Sequence, residues 1–387
     1  MNKKSKSNIR SVAVVAGART PFCKAGGKLV RCSAVDLGAV AAREALLRSG
    51  LRPERVDQII FGIVSGPVGA PNIAREIGLA ANFPRTTPAY TVTRACVSAN
   101  QAVTNAADQI ALGHSDVVVA GGAEVLSDVP ILYGREFRDA LFQASKARTA
   151  AARFKAFSKV RPKDLLPVAP AIAEPSTGET MGQSAEKMAK AFGISRAAQD
   201  EFAARSHARA LAAWESGALA KHVAATPVAS SKSVKVQERD NHPRADSTVE
   251  KLAKLRPVFD RKYGSVTAGN ASPLTDGASA LVLAAEDVAR AEGWPILGIL
   301  KGYRYAAIDP FEHLLMGPVS AVASVLEHTG LGLDQIGVIE MHEAFAAQVL
   351  ANIHGLGSAS YCQDKLGRST PVGEIDPEKV NLWGGSI

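Results

Sequence analysis

A thiol stands at Cys96, where strand-like sequence gives way to helix. Upstream, Tyr90-Thr91-Val92 is short and β-prone. Downstream, residues 97–112 are rich in alanine with helical spacing and stop before Gly113. Cys96 is therefore expected at a helix N-terminus, where unpaired backbone amides and the helix dipole favour a thiolate, the nucleophilic form. Cysteine also serves as a small buried hydrophobe in apolar α/β proteins, and position alone leaves both roles open. A second chemistry-bearing pair comes late in the chain, in Met341-His342-Glu343-Ala344-Phe345, where an imidazole and a carboxylate follow an apolar, strand-like stretch. The carboxyl ends of strands are where open α/β sheets build their sites.

The elements that must position these groups alternate. Residues 12–15 read as a strand, residues 17–30 as a loop, and Leu37, Val40, Ala41 and Ala45 as one face of a helix stopped by Gly50. Residues 56–62 form an apolar stretch of buried-strand type, and residues 116–120 another. Such alternation gives an α/β sheet that is at least partly parallel. From about residue 125 to 257 the alternation lapses, which marks an insertion. Within it residues 167–178 read as a loop. Met181, Ala185, Met188 and Phe192 lie on one helix face, a pattern that suits helix packing, with Met181 at the loop junction the best placed for a ligand. Residues 199–219 read as a further helix and residues 230–247 as an exposed polar loop. Strand character returns near Thr267.

The chain then repeats itself. Ala45-Leu46-Leu47-Arg48-Ser49-Gly50-Leu51 followed by Val56-Asp57-Gln58-Ile59 matches Val325-Leu326-Glu327-His328-Thr329-Gly330-Leu331 followed by Ile336-Gly337-Val338-Ile339, at a constant offset of 280. A helix, glycine, linker and strand occurring twice indicate a duplicated unit, and the second strand is expected to end at His342.

Composition bounds the function. The 387 residues, 47% of them hydrophobic, allow two or three domains with large cores, and no apolar run approaches the ~20 residues of a membrane span. A soluble protein is expected. The basic residues 1–10 lack the apolar core of a signal peptide. Cys23, Cys32, Cys96 and Cys362 are too widely spaced for a disulfide framework or a zinc site, which suggests a reducing, cytoplasmic setting and no metal. The formal charge is +8. Much of the excess is local: residues 135–163 carry nine basic residues against two acidic ones, interleaved with Leu141, Phe142, Phe154, Phe157 and Val160, and Lys3, Lys4, Lys6 and Arg10 form a second cluster. Such density suits nucleic acid, an anionic membrane surface or a phosphorylated ligand. With no recognised nucleic-acid module, the first is set aside.

Together these motifs resemble the thiolase family over nearly the whole chain. Arg19-Thr20-Pro21-Phe22 resembles the family's opening loop, Ala95-Cys96-Val97-Ser98 its nucleophile motif, and Thr180-Met181-Gly182-Gln183-Ser184-Ala185-Glu186 its loop-domain motif. Gly269-Asn270-Ala271-Ser272 with Thr275-Asp276-Gly277-Ala278 looks like the stretch that meets the pantetheine arm, and Asn381-Leu382-Trp383-Gly384-Gly385-Ser386 like the approach to the last catalytic loop. His342, where many thiolases have Asn, is similar to the thiolase (β) subunit of the trifunctional fatty-acid oxidation complex. The resemblance implies a duplicated βαβ core in an αβαβα layering. Residues 1–124 would form the first half, 125–257 an inserted loop domain with a basic helical segment at 131–163, and 258–387 the second half.

It also implies an activity: thiolytic cleavage of 3-ketoacyl-CoA to acetyl-CoA and a shortened acyl-CoA, through an acyl-cysteine on Cys96. His342 would donate to the thioester oxygen, Ser272 would bond the pantetheine arm, and Met181 and Phe345 would line the acyl pocket. Coenzyme A would be a co-substrate and no resident cofactor is needed. The implied partners are a second copy of the chain, a hydratase/dehydrogenase α-subunit, and an anionic membrane touched by the basic insert. The family pattern continues beyond Ile387 with a Gly-His-Pro and a second cysteine, neither of which Cys362, His328 or His354 replaces on motif grounds. From Gly62 the first copy runs 62 residues to Glu124, whereas 45 follow His342. On this reading the chain is C-terminally incomplete and, as it stands, severely impaired. The alternatives are a non-catalytic thiolase-fold subunit or acyl-CoA-binding scaffold and, with less motif support, a 3-ketoacyl synthase.

Overall fold

The structure, a computed structural model, describes residues 9–168, 173–229 and 233–387. Its centre is a mixed seven-stranded sheet. Six strands run in the order Gly298–Leu300, Val12–Arg19, Thr275–Ala285, Val117–Val125, Gln58–Gly62, Ala89–Val92, and the seventh, Cys23–Lys24, pairs with the start of Thr275–Ala285. Pairing is antiparallel as far as Val117–Val125 and parallel beyond it. Side-chain alternation divides the core into two layers. Ile59 and Phe61 pack with Leu37, Ile73 and Ile77 from helices Ala34–Ser49 and Ile73–Ala80. Ile60 points the other way, onto Ala102, Ala106 and Ile110 of helix Ser98–Ala111.

The internal repeat is visible in the backbone. Helix Ala34–Ser49 opens with a capping box between Ser33 and Asp36 and closes on Gly50 at φ 71°. Helix Gly317–Thr329 closes on Gly330 at φ 70°. Each is followed by a single 3₁₀ turn, Pro53–Arg55 and Leu333–Gln335. Ile59 pairs in parallel with Ala89, and Ile339, 280 residues on, pairs in parallel with Val380.

Four readings of the chain are corrected here. The second-copy strand over residues 336–339 is reduced to the Ile339–Val380 bridge. In the first copy Gln58–Gly62 is flanked on both sides, whereas among the described residues Ile339 is paired on one side alone, so no ladder propagates. No strand forms at Thr267, because Thr267 N–H donates to Asn270 Oδ1 (2.7 Å) and Thr267 Oγ1 accepts from Gly269 N–H (3.1 Å), local bonds that compete with a ladder. The strand begins at Thr275 instead and lies between Val12–Arg19 and Val117–Val125. A boundary at residue 258 would therefore cut through the first half's sheet. Within the stretch read as a loop, Val234–Gln237 pairs with Thr226–Ala229 as a hairpin, with Val234 and Val236 exposed on it.

The rest of the second half packs through helices, with Met188, Met316, Val319, Leu356 and Val380 in one cluster. Among the described residues no helix is long and apolar enough to cross a membrane. The lysines at 3, 4 and 6 lie outside the described residues.

Candidate active site

Cys96 sits in a tight turn two residues before helix Ser98–Ala111. Ala95 adopts φ 43°, a left-handed backbone that a non-glycine residue rarely takes and that costs on the order of 1–3 kcal/mol. The turn is held from below by Ser98, whose Oγ accepts from Arg94 N–H (2.8 Å) and donates to the Ala95 carbonyl (2.7 Å). From the side, the Arg94 guanidinium lies 4.1 Å from the Tyr305 ring centre, and Tyr305 Oη bonds Thr104 Oγ1 on the same helix (2.8 Å). Gly62, at the end of its strand, lets the helix start approach: a Cβ there would stand 2.3 Å from the Ser98 carbonyl. The thiol is exposed, whereas Cys23, Cys32 and Cys362 are buried. Of the two roles the sequence left open, burial as a small hydrophobe does not apply to Cys96. It does apply to Cys362, whose thiol faces the Gly355 carbonyl at 3.4 Å, and to Cys23, whose thiol burial pushes up to about 12.

Cys96 opens into a cavity of about 210 Å³ lined also by Phe22, Glu124, Thr275, Gly277 and Ser279. Phe22 lies flat on Gly277, where a Cβ would meet its ring at 2.0 Å. Asp240 holds the Phe22 loop: it accepts from the Phe22 N–H (2.7 Å) and takes a two-pronged pair from Arg19 (2.7 and 2.8 Å). This is the local reason for the Arg19-Thr20-Pro21-Phe22 sequence. Glu124 was not singled out from the sequence, where its signal is a carboxylate closing a buried apolar strand. It accepts from the Val64 and Ser65 amides (2.7 and 3.0 Å), and burial pushes its pKa above the ordinary carboxylate value against those two donors.

His342 and its neighbours form the opposing group. Ser272 N–H donates to the Ala344 carbonyl (2.9 Å), Ala271 bridges Phe345, and Ala346 N–H donates to the Asn270 carbonyl (3.0 Å). The Ser272 segment is thereby strapped alongside the Ala344 to Ala346 backbone. Phe345 meets Phe259 edge to face at 6.1 Å, and the Phe259 ring covers Gly182, the residue after Met181. Of the five site residues named from the sequence, Ser272 and Phe345 are thus brought together, with His342 and Met181 close to this contact set along the chain. Cys96 reaches it through the chain itself, since Ser272 runs directly into Thr275 and Gly277 of the Cys96 cavity. Among the described residues no hydrogen bond joins Cys96 to His342.

His342 is exposed as a residue. Partial loss of hydration nevertheless lowers its pKa below the ordinary imidazole value, with the Glu343 carboxylate opposing. Nδ1 lies 2.8 Å from Ser386 Oγ. Glu343 is buried and accepts from Ser206 Oγ (2.6 Å), Asn381 Nδ2 (2.6 Å) and Ile387 N–H (3.2 Å). Residues 381–387 are laced onto this carboxylate.

Ser272 also lines a larger cavity of about 640 Å³, with Lys24, Arg244, Lys251, His207 and His242. Three cations line it, a selection that the sequence did not make, and two of them, Arg244 and Lys251, are paired with Asp246 of the same lining (3.1 and 3.7 Å). The two imidazoles lie 5.4 Å apart, and burial first, then His242, hold the His207 pKa down at about 4. In the basic insert, helices Arg135–Lys146 and Ala150–Ala156 are tied by Phe137 between Tyr133 and Phe157, at 5.0 and 6.2 Å. Phe142 and Phe154 remain 67% and 81% exposed.

Comparison with known proteins places these features in a lineage. Residues 12–287 match the family described as thiolase, N-terminal domain, and residues 294–387 match thiolase, C-terminal domain. The 3-ketoacyl-CoA thiolases of Shewanella halifaxensis and Yersinia enterocolitica are each 46% identical over 376 residues, covering 97% of this chain and 86% of the relative. The Bacillus anthracis acetyl-CoA acetyltransferase superposes with a TM-score of 0.82 at 34% identity, over 98% of this chain and 88% of that one. Human mitochondrial 3-ketoacyl-CoA thiolase gives 0.81 at 31% identity, over 98% and 87%. The C-terminal match runs to Ile387, and the expectation of an impaired chain finds no support in these matches. With both domains recognised, a strained cysteine turn at a helix start and a histidine at the repeat-related position, the chain belongs to the thiolase family.

Proposed function

We propose that the protein cleaves 3-ketoacyl-CoA between Cα and Cβ, yielding acetyl-CoA and an acyl-CoA shortened by two carbons. The observation that carries this reading is the exposed Cys96 thiol at the start of helix Ser98–Ala111, opening into a cavity lined by Thr275 and Gly277, which follow Ser272 in the chain. The thiolate attacks the keto carbon, the Cα–Cβ bond breaks with its electron pair passing to the acetyl-CoA enolate, and that carbon takes up a proton. An acyl group remains on Cys96 until the thiol of free coenzyme A displaces it. Negative charge develops on the thioester oxygen as the bond breaks, and the neutral His342 imidazole is the group suited to donate to it.

Coenzyme A is the co-substrate, its phosphates meeting Lys24, Arg244 and Lys251 and its pantetheine arm Ser272. Met181 and Phe345 line the acyl pocket. The reading is tested by following cleavage of a 3-ketoacyl-CoA in the presence of coenzyme A: turnover by the native chain and none by Cys96→Ser supports it, and no turnover by either overturns it.

The basic insert is the surface for peripheral contact with an anionic membrane in an otherwise cytoplasmic protein. Lys155, Lys159 and Lys163 have no ion-pair partner among the described residues, and Phe142 and Phe154 of the same insert are exposed. A hydratase/dehydrogenase subunit is the fitting partner, because it makes the 3-ketoacyl-CoA that thiolysis consumes. The free edge of strand Ala89–Val92 suits pairing with a second copy of the chain.

A further inference from the structure

The Ser386 hydroxyl makes two contacts, and together they constrain where its proton goes. Ser386 Oγ accepts from Glu343 N–H at 3.1 Å and lies 2.8 Å from His342 Nδ1. The amide occupies one lone pair of the hydroxyl, and the single O–H proton is free to point at the ring. If Nδ1 carried a proton, the hydroxyl would accept from two N–H groups and its own hydrogen would turn to solvent, leaving no hydrogen bond from it within the protein at this exposed contact. With Nδ1 unprotonated, each of the three groups is satisfied once. The imidazole proton then sits on Nε2, at the other end of the ring, and Nε2–H is a donor.

We propose that Ser386 is a positioning residue that fixes the tautomer of His342, so that Nε2–H rather than a bare lone pair faces the reacting oxygen. The proposal rests on the reading of His342 as donor to the thioester oxygen. A neutral imidazole in the wrong tautomer would present a lone pair to a developing negative charge, repelling the transition state it should stabilise. The placement of Ser386 is itself secured without its side chain. Gly385 N–H donates to Ser206 Oγ (3.0 Å) and Ile387 N–H to Glu343. A Cβ on Gly385 would collide with the Glu343 carboxylate at 2.0 Å, so the backbone lies against that buried group. Removing the Ser386 hydroxyl therefore leaves the backbone around it anchored.

The test is ¹⁵N NMR of the full chain with labelled histidine, above the pH at which His342 is protonated, on the native protein, Ser386→Ala and Ser386→Thr, with His342→Gln assigning the signal. The expected result is an Nε2–H tautomer in the native chain, a shift of population toward Nδ1–H in Ser386→Ala, and its return in Ser386→Thr. An Nδ1–H tautomer in the native chain, or identical spectra in the native chain and Ser386→Ala, overturns the proposal. In the cleavage assay Ser386→Ala should lose roughly 10- to 100-fold in kcat with KM little changed, by comparison with the cost of a lost or mis-set donor elsewhere. A native chain that does not turn over while its tautomer responds to Ser386 would sink the thiolysis reading and leave the Ser386–His342 relationship standing.

Discussion

Gly62 and Ser98 meet backbone to backbone: the end of a core strand touches the first turn of the helix that carries the Cys96 turn, with room for a hydrogen and not for a methyl group. The position of the nucleophile is thus set by the sheet as well as by its own turn. Gly62→Ala should destabilise the fold by about 1–3 kcal/mol through overpacking. It should also slow alkylation of Cys96 by iodoacetamide, because the helix start is pushed outward. Denaturant unfolding and alkylation rates measure both, and an unchanged alkylation rate would separate the sheet from the site.

Asn381 does the work of a strand residue with its side chain. Its Oδ1 accepts from Met341 N–H (2.7 Å), and its Nδ2 donates to the Met341 carbonyl (2.8 Å) and to Glu343 (2.6 Å). Asn381→Ala would leave three partners short of a bond next to a buried carboxylate. A loss of about 2–4 kcal/mol is expected from chemical unfolding, larger than for a change at an exposed residue such as Leu382.

The His207 and His242 pair predicts acid sensitivity. In the fold His207 holds its pKa at about 4 against an ordinary value of 6.5. Between those pH values the unfolded chain binds more protons than the folded one, so stability is full above about 6.5 and falls as pH drops toward 4. The expected loss is roughly 1–3 kcal/mol, and the direction for His242 is the same. Melting curves of the native chain and His207→Gln across this window should show the slope flatten in the variant. Equal slopes would assign the effect elsewhere.

For the basic insert, Lys155→Glu, Lys159→Glu and Lys163→Glu together should abolish cosedimentation with anionic vesicles and leave 3-ketoacyl-CoA cleavage intact. Binding that survives the charge reversal would return the insert to solvent.

Much of the first half was legible in the sequence because its signals are local. Gly50 and Gly330 end their helices in the left-handed region, and the offset of 280 between them holds through the 3₁₀ turns that follow. Cys96 was placed at a helix start by the change from a β-prone stretch to an alanine-rich run with helical spacing. What escaped depends on partners distant in the chain. Thr275–Ala285 belongs to the first half because its neighbours are Val12–Arg19 and Val117–Val125, and nothing within residues 258–285 carries that information. The strand expected at residues 336–339 has the right composition, but pairing needs flanking strands. The role of Ser386, adjacent in the motif to two glycines, appears only once Glu343 N–H and His342 Nδ1 are seen converging on its oxygen.

The central claim is a covalent acyl group on Cys96. The direct measurement is mass spectrometry of the chain mixed with a long-chain 3-ketoacyl-CoA in the absence of free coenzyme A, followed by peptide mapping. The account predicts an acyl adduct two carbons shorter than the substrate acyl chain on the peptide containing Cys96, discharged by added coenzyme A and absent in Cys96→Ser. No adduct, or one on Cys23, Cys32 or Cys362, would contradict it.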